Sequence, residues 1–522
     1  MRRFRDLCLI VLLLPQVGVS AVSAGIEPHL EALRPRLMAP DFVRDLYVGR
    51  DFAPLWDDRR ADALLDLIGE ADSHGLDERD YFVGELRARL PLTGLGEGER
   101  ADADVLFTEA FLRLASHLRF GKVDPSDFDA NWNYSRRIES SDPAALLTSI
   151  VESDDLASAM NAALGHGPIY DNLRRWLVHY RALEAAGGWP EVSPGATLRP
   201  GDDDARVVEL RRRLAAEAYA LDDVEATKFD AALARQVGAF QSRHGLDSDA
   251  IVGGKTLAAL NVSAKARVDQ LRINLERLRW VVRDREARFI AINIAGFQVY
   301  LIDGDEIVWS ARAVVGRPYR QTPVFRATMT YLVFNPDWTV PPTILRNDTL
   351  PAIHKNPAYL EENHMDVVNA TGHPIDPASI EWARYPAERF PYFIRQRPGE
   401  WNALGRVKFI FPNDHFVFLH DTPTKTLFEK SERTFSSGCI RVERPFELAE
   451  ILLRGQAPWD AAEIQRQVAT DETKTVFLRN PVPVLVVYLT ALSVDGGESL
   501  FFYPDVYRRD AALLAALDAP PQ

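Results

Sequence analysis

Phe416-Val417-Phe418-Leu419-His420 is an apolar run that ends in a histidine, which is typical of a β-strand with a polar side chain at its end. Cys439 follows 19 residues after His420, in the run Ser436-Ser437-Gly438-Cys439-Ile440-Arg441. Gly438 allows unusual backbone angles there, so the cysteine can follow a tight turn and meet the histidine on a neighbouring element. The two runs predict a β-rich domain that holds a thiol beside an imidazole.

Cys439 is predicted to be the single thiol of an exported protein. The only other cysteine, Cys8, lies in a basic and then apolar N-terminal segment, residues 1–24, with small residues before cleavage sites at Ala21 or Ala24. We expect this export signal to be removed, because its apolar run is shorter than the roughly 20 residues that a membrane span needs. An uncut signal would retain the protein at the inner membrane. The mature chain would carry one unpaired thiol in an oxidising compartment, which indicates a chemical role.

Composition excludes several functions. The net charge of −14 over 522 residues argues against nucleic-acid binding, which needs a basic face. No metal-ligand spacing, Gly-x-Ser-x-Gly elbow or phosphate loop occurs where strand and helix would support it, so we expect no metal and no cofactor. The length suggests about three domains.

The N-terminal part of the chain is predicted to be helical. Ala61, Leu64, Leu65 and Ile68 recur at the helical period, and so do Phe107, Ala110, Phe111 and Leu114. This pattern ends at a Gly-Gly-Trp-Pro run, which gives a helical scaffold over residues 25–190. Residues 191–265 predict a small unit of three short helices, and residues 266–285 a connecting helix.

The hydrophobic period changes to that of strands after this helix. Short β-type runs separated by turn residues indicate a β-rich domain over residues 286–507, followed by a tail at 508–522. Residues 343–404 are rich in Pro, Asn, Tyr and Arg with little strand signal, and we expect them to form an inserted cap or lid. The fold class is therefore multidomain α+β.

The chemistry follows from the residue types. A thiol with an ordinary pKa is only a few per cent thiolate at about pH 7, so a neighbouring imidazole would activate it. Backbone N–H groups of Gly438 and Cys439 would stabilise a developing oxyanion, which is the arrangement of acyl transfer. A structural cysteine with a hydrogen-bonded histidine at a strand end is the alternative interpretation.

Several motifs identify relatives. The pattern from Leu198 through Val237, His244-Gly245 and Val252-Gly253 to Asn261 resembles the peptidoglycan-binding domain type 1. His420-Asp421-Thr422 with 436–441 resembles the signature of L,D-transpeptidases with a YkuD-type catalytic domain. Further matching pieces are Val315-Gly316 with Thr322-Pro323, Asn335-Pro336-Asp337-Trp338, and Asn402-Ala403-Leu404-Gly405-Arg406. The whole arrangement resembles the large multidomain Gram-negative branch of this family.

The resemblance implies a periplasmic enzyme that forms 3–3 peptidoglycan cross-links. Cys439 would attack a tetrapeptide stem after meso-diaminopimelate, release D-alanine and pass the acyl group to a second stem, with His420 as base and acid. Gly438 would help to bind the oxyanion, and Arg441 would bind a carboxylate of the substrate. Ser437, Trp338 and Tyr331 would also contact the substrate, the last two by lining the cleft. Carbapenems would acylate the thiol, and other wall-synthesis enzymes would be partners.

One position departs from the commonest form of the family signature. Ser437 stands where most relatives have a histidine, which puts any catalytic role of that position in doubt, although the large branch shares the serine. Two other functions stay open: a cysteine hydrolase or amidase acting on wall peptides, which would use the same residues, and a non-catalytic wall-binding scaffold, which would need no thiol chemistry.

Overall fold

The computed structural model describes residues 23–128, 132–133, 142–281, 286–385 and 389–521. Residues 1–22, with Cys8 and most of the predicted export signal, lie outside this part of the chain. No helix within the described ranges is both long and apolar enough to cross a membrane.

Eight helices of the described chain form the N-terminal scaffold. The predicted periodic runs lie in the third and the fifth of them, so both predictions are confirmed. Asp57 begins the third helix by accepting a hydrogen bond from the N–H of Arg60, as an N-cap residue does. The helices are α1 Ser23–Leu33, α2 Pro40–Val48, α3 Asp58–Gly69, α4 Val83–Arg87, α5 Glu97–Phe120, α6 Pro143–Val151, α7 Leu156–Leu164 and α8 Pro168–Ala185.

Three more helices form the predicted small unit, and a fourth connects it onward. They are α9 Arg206–Ala216, α10 Ala231–Arg243, α11 Gly254–Leu260 and the connecting helix α12 Ala264–Val281. Val207, Leu233 and Phe240 share one buried core, as the sequence pattern predicts. The predicted last residues of the connecting helix, 282–285, lie outside the described ranges. His244 is buried, and its ring contacts those of Phe240 and Phe502, so this motif residue joins the small unit to the end of the β domain.

The described residues after α12 contain the strands and six further helices. The strands are β1 Arg288–Asn293, β2 Gln298–Asp303, β3 Glu306–Gly316, β4 Phe325–Phe334, β5 Trp338–Thr339, β6 Met365–Val368, β7 Pro374–Ile375, β8 Phe393–Gln396, β9 Val407–Ile410, β10 Leu419–His420, β11 Thr434–Ser436, β12 Ile440–Val442, β13 Lys474–Val487, β14 Ala491–Leu492 and β15 Phe501–Phe502. The helices are α13 Pro342–Ile344, α14 Leu350–Lys355, α15 Tyr359–Glu362, α16 Pro445–Leu453, α17 Ala461–Ala469 and α18 Asp510–Asp518.

The main sheet has the strand order β11-β3-β12-β10-β9-β4-β13-β1-β2, and β2 also pairs with β3. This second pairing closes the sheet on itself, so that one face of each strand lines a packed interior. Ile292, Val315, Phe409, Leu419 and Val484 lie there, with no exposed surface.

The inserted segment has a sheet and a core of its own. Strands β5, β8, β6 and β7 pair in that order, and Val340, Ile353, Met365 and Ile394 pack beneath them. The prediction of little strand in residues 343–404 is wrong, because strands of two to four residues are too short to show an alternating pattern. The expected C-terminal tail contains α18, which packs on α12 and against the scaffold core through Leu513 and Leu517.

The apolar run before His420 also differs from its prediction. Only Leu419 and His420 of this run form a strand, whereas a strand was expected from Phe416. The side chain of Asn413 accepts hydrogen bonds from the N–H groups of His415 and Val417 and donates to the carbonyl of Val417. These bonds hold the run in a turn, with Phe416 at a φ of 54°, and so override its strand propensity.

Candidate active site

The strand register brings the candidate residues together. β10 and β12 are parallel neighbours in which Leu419 pairs with Ile440 and His420 pairs with Arg441. Leu419 and Ile440 point into the closed sheet, so His420 and Arg441 share its opposite face. Cys439 directly precedes Ile440, and the same alternation places it on the face of His420 and Arg441.

The loop before Cys439 is held by one hydroxyl. Ser436 Oγ accepts a hydrogen bond from the N–H of Gly438 at 3.1 Å and donates to the carbonyl of Cys439 at 2.5 Å. Gly438 has a φ of 119°, which a residue with a Cβ rarely adopts, so glycine is required here. The N–H of Gly438 is thus engaged, whereas the N–H of Cys439 has no hydrogen bond within the described chain.

The thiol itself is half-buried and free. Its Sγ donates to the carbonyl of Phe416 at 3.6 Å, and among the described residues no hydrogen bond joins it to His420. Burial raises the pKa of Cys439 to about 11, although a backbone hydrogen bond at Phe418 and the charge of Arg441 act in the opposite direction. Cys439 therefore rests as a neutral thiol.

His420 is almost completely buried, and one of its ring nitrogens has a defined role. Nδ1 lies 2.5 Å from the carbonyl oxygen of Asp421. A carbonyl can only accept, so Nδ1 carries the proton in the neutral ring and Nε2 is the nitrogen without one. Burial, with a further contribution from the Arg441 charge, lowers the pKa of His420 to about 3. Hydrogen bonds of the ring to the backbone of Asp421 and Leu404 act to raise the pKa of His420, less strongly than burial lowers it. The imidazole is therefore neutral and able to accept a proton at Nε2.

Arg441 introduces positive charge without a matching acid. Its Nε is buried and lacks a hydrogen-bond partner, and neither Arg441 nor Arg317 forms an ion pair within the described ranges. Burial, together with the nearby charge of Arg317, lowers the pKa of Arg441. Two neighbouring guanidinium groups without an ion pair among the described residues, one of them close enough to affect the Cys439 thiol, form a site that an anion can occupy.

Ser437 is exposed beside the nucleophile and contacts the inserted segment indirectly. Its Oγ accepts from Nη1 of Arg320 at 3.0 Å, and the same nitrogen donates to Asp348 at 2.8 Å. Asp348 lies between α13 and α14, inside the insertion. Arg320 therefore connects the loop that carries Cys439 to the inserted segment.

The remaining two predicted residues lie on neighbouring elements. Trp338 is in β5 and packs against the core of the inserted segment. Tyr331 is in β4, two strands from β10, and its ring contacts that of Phe477 at 5.2 Å. The structure thus brings Cys439, Gly438, Ser437, His420 and Arg441 together on adjacent strands and their loop, and it places Trp338 and Tyr331 on other elements.

Sequence reasoning missed several residues that support the site. Three of them are close to the quoted motifs: Ser436 lies within 436–441, and Arg317 and Arg320 lie between Gly316 and Thr322. A single sequence does not show that a serine or an arginine supports a loop. Thr322 and Tyr507 were also missed as supports, and their contacts are described below.

Comparison with known proteins finds family matches for three segments of the chain. Residues 41–177 match the family model described as "Scaffold domain", residues 203–260 match "Putative peptidoglycan binding domain", and residues 287–474 match "L,D-transpeptidase catalytic domain". A curated relative from Haemophilus influenzae named "Putative L,D-transpeptidase" is 35% identical over 242 residues, which cover 46% of this chain and 48% of the relative. The chain thus spans about half the length of this relative.

Two solved structures show weaker likeness. One is an L,D-transpeptidase from Xylanimonas cellulosilytica, 14% identical, with a TM-score of 0.19 over 56% of this chain and 100% of that one. The other is a fused Zn-dependent amidase/peptidase/peptidoglycan-binding domain-containing protein from Clostridium acetobutylicum, 13% identical, with a TM-score of 0.15 over the same shares. Neither likeness is strong enough to bear on the fold or the activity.

The family matches agree with the resemblance seen in the sequence. A helical scaffold, a helical peptidoglycan-binding unit and a β-rich domain follow one another in the expected order. Residues 287–474 thus match the L,D-transpeptidase catalytic domain of the YkuD family, and they follow segments that match a scaffold domain and a peptidoglycan-binding domain.

Proposed function

We propose that the protein forms 3–3 cross-links in peptidoglycan by transferring an acyl group through a thioester on Cys439. The observation that carries this proposal is the placement of a free thiol, a buried imidazole and a guanidinium on one sheet face of the segment that matches the L,D-transpeptidase catalytic domain. Among the described residues, this guanidinium has no ion pair. The peptidoglycan-binding domain supports the wall as the source of substrate.

The first half-reaction breaks an amide bond. Sγ of Cys439 attacks the carbonyl of meso-diaminopimelate in a tetrapeptide stem, and the thiol proton moves to Nε2 of His420. The C–N bond then breaks, and the same proton passes to the leaving amine of D-alanine. The low pKa of the buried imidazole favours this second transfer, because the charged ring is costly to keep.

The second half-reaction reverses these proton movements. The side-chain amine of a second stem attacks the thioester, loses a proton to His420 and forms the new amide. The C–S bond breaks, and the sulfur recovers its proton from the imidazolium. Water in place of the amine would give hydrolysis, so a cap over the cleft would favour transfer. The segment 343–404 is our candidate for that cap.

Backbone and arginine groups would stabilise charge during both steps. The N–H of Cys439 supports an oxyanion role because it has no hydrogen bond within the described chain. The N–H of Gly438 stays a predicted second donor to the oxyanion. To act as one, it would first have to break its hydrogen bond to the Ser436 hydroxyl. Arg441, together with Arg317, would bind a carboxylate of the donor stem.

We infer that the protein acts in the periplasm, where peptidoglycan stems are available as donor and acceptor. Trp338 and Tyr331 stay predicted substrate contacts from the elements around the cleft, and other wall-synthesis enzymes stay predicted partners. No metal and no cofactor takes part in the proposed steps.

Product analysis tests the proposal. The protein would be incubated with purified disaccharide-tetrapeptide, and D-alanine, tripeptide and dimer would be quantified by mass spectrometry. We expect equal amounts of D-alanine and 3–3 dimer from the native protein and none from Cys439→Ala. Tripeptide without dimer would establish a hydrolase, and no product at all would favour a wall-binding scaffold.

A further inference from the structure

The loop that carries Cys439 rests on two hydroxyl groups on its inner side. Thr322 Oγ1 donates to the carbonyl of Gly438 at 2.8 Å and accepts from the N–H of Gly316 at 2.9 Å. The hydroxyl of Tyr507 donates to the carbonyl of Gly316 at 2.6 Å and accepts from the N–H of Thr322 at 3.2 Å. Thr322 and Tyr507 are both buried, so water does not compete for these bonds.

Tyr507 comes from outside the segment that matches the catalytic domain, which ends at residue 474. Its ring is stacked on that of Tyr488, with centroids 5.6 Å apart, and its N–H donates to the Tyr488 hydroxyl at 2.8 Å. The Tyr488 hydroxyl in turn donates to Asp505 at 2.6 Å. The chain after β13 is therefore fixed against the back of the nucleophile loop.

The consequence for catalysis follows from the geometry of one peptide unit. The carbonyl of Gly438 and the N–H of Cys439 belong to the same planar, trans peptide, so they point in opposite directions. The bond from Thr322 fixes the carbonyl toward the protein interior. The N–H of Cys439 must then point away from Thr322, and this is the N–H that has no hydrogen bond within the described chain.

We propose that Thr322 and Tyr507 are positioning residues that orient the N–H of Cys439 as the oxyanion donor, so that the segment after residue 474 completes the active site. Thr322 acts directly on the Gly438 carbonyl, and Tyr507 acts through the backbone of Gly316 and Thr322. Gly316 fits between them because a Cβ there would collide with the carbonyl oxygen of Arg320. The inference rests on the proposed acyl transfer at Cys439.

Two electrophiles separate this role from a general structural one. Acylation of Cys439 by a carbapenem passes through an oxyanion intermediate. Alkylation by iodoacetamide uses the same sulfur but passes through no oxyanion. Removing an oxyanion donor costs about 100- to 1000-fold in rate, so misorienting one should slow acylation by at least about 10-fold. We expect that loss in full-length Thr322→Val and Tyr507→Phe, with alkylation changed less than about twofold. Thr322→Ser keeps the hydroxyl and should restore acylation.

A matched control removes a buried hydroxyl elsewhere. Tyr180 is also buried, and its hydroxyl donates to Glu217 in the small helical unit. Tyr180→Phe should leave both rates unchanged, even if its melting temperature falls as far as that of Tyr507→Phe. Equal slowing of acylation and alkylation in Tyr507→Phe, or no slowing of either, would overturn the inference.

Amide exchange gives a readout that does not depend on activity. Hydrogen–deuterium exchange, followed by mass spectrometry of peptides spanning residues 436–441, should be faster in Tyr507→Phe than in the native protein and in Tyr180→Phe. If the native protein is not acylated by any carbapenem, the proposed function fails, and exchange alone then decides the positioning role. Unchanged exchange in Tyr507→Phe would reject that role.

Discussion

Cys439 should react with small electrophiles as a thiol of raised pKa. With its pKa raised to about 11, the thiolate fraction at pH 7 is roughly 10⁻⁴. A free cysteine with a pKa of about 8.5 has a thiolate fraction of roughly 3% at the same pH. The alkylation rate of Cys439 should therefore rise about tenfold for each pH unit between pH 7 and pH 10, without reaching a plateau.

The assay follows one peptide across the pH range. Full-length protein would be treated with iodoacetamide between pH 6 and pH 10.5, quenched and digested, and the modified fraction of the peptide containing Cys439 measured by mass spectrometry. The same protein unfolded in urea is the control, and its Cys439 rate should level off above about pH 9.

The outcome separates two mechanisms. A neutral thiol and a neutral imidazole predict that proton transfer accompanies attack on the substrate, as the low pKa of His420 requires. A plateau below pH 8 in the folded protein would instead mean a preformed thiolate and imidazolium pair. That result would refute the assignment of the resting state.

Three further changes have defined outcomes. His420→Ala should lower carbapenem acylation by about 100-fold or more, because general base catalysis contributes about 10²–10⁴, and alkylation at pH 10 should persist; undiminished acylation, measured by intact mass, would remove His420 from the mechanism. Arg441→Ala should raise KM for disaccharide-tetrapeptide in a D-alanine release assay, and Arg441→Lys should restore little of it, because lysine cannot bind a carboxylate through a planar fork; full recovery with lysine would contradict bidentate binding. Burial lowers the pKa values of His74, His166 and His420 to about 2, 4 and 3, so the unfolded chain takes up these protons below about pH 6.5 while the folded chain stays neutral. The free energy of unfolding should therefore decrease as the pH is lowered below about 6.5, by up to about 1.4 kcal/mol per pH unit for each histidine. A melting temperature that stays constant from pH 7 to pH 5 would contradict this.

The helices and the reactive pair were predictable because their signals are local or chemical. The run from Ala61 to Ile68 repeats at the helical period, and α3 buries Ala61, Leu64 and Ile68 as that period requires. Cys439 and His420 carry chemistry that few residue types can supply, so a lone thiol near a histidine was informative without a structure.

The supports of the site were not predictable, because they come from distant parts of the chain. Thr322 lies 116 residues from Gly438 in sequence, and Tyr507 lies 191 residues from Gly316. A buried hydroxyl that donates to a backbone carbonyl produces no periodic pattern in the sequence. The strand predicted from residue 416 failed for a related reason, since the Asn413 side chain competes locally for the backbone groups that a strand would use.

The most direct test of the account is the mass of the protein caught during turnover. Native protein and Cys439→Ala would each be mixed with disaccharide-tetrapeptide, quenched in acid within seconds, and analysed by intact mass and by digestion. The account predicts an adduct of the donor minus D-alanine, located on Cys439 and lost when an acceptor stem is added before the quench. D-alanine release without any adduct on Cys439, or equal release by Cys439→Ala, would contradict the thioester mechanism.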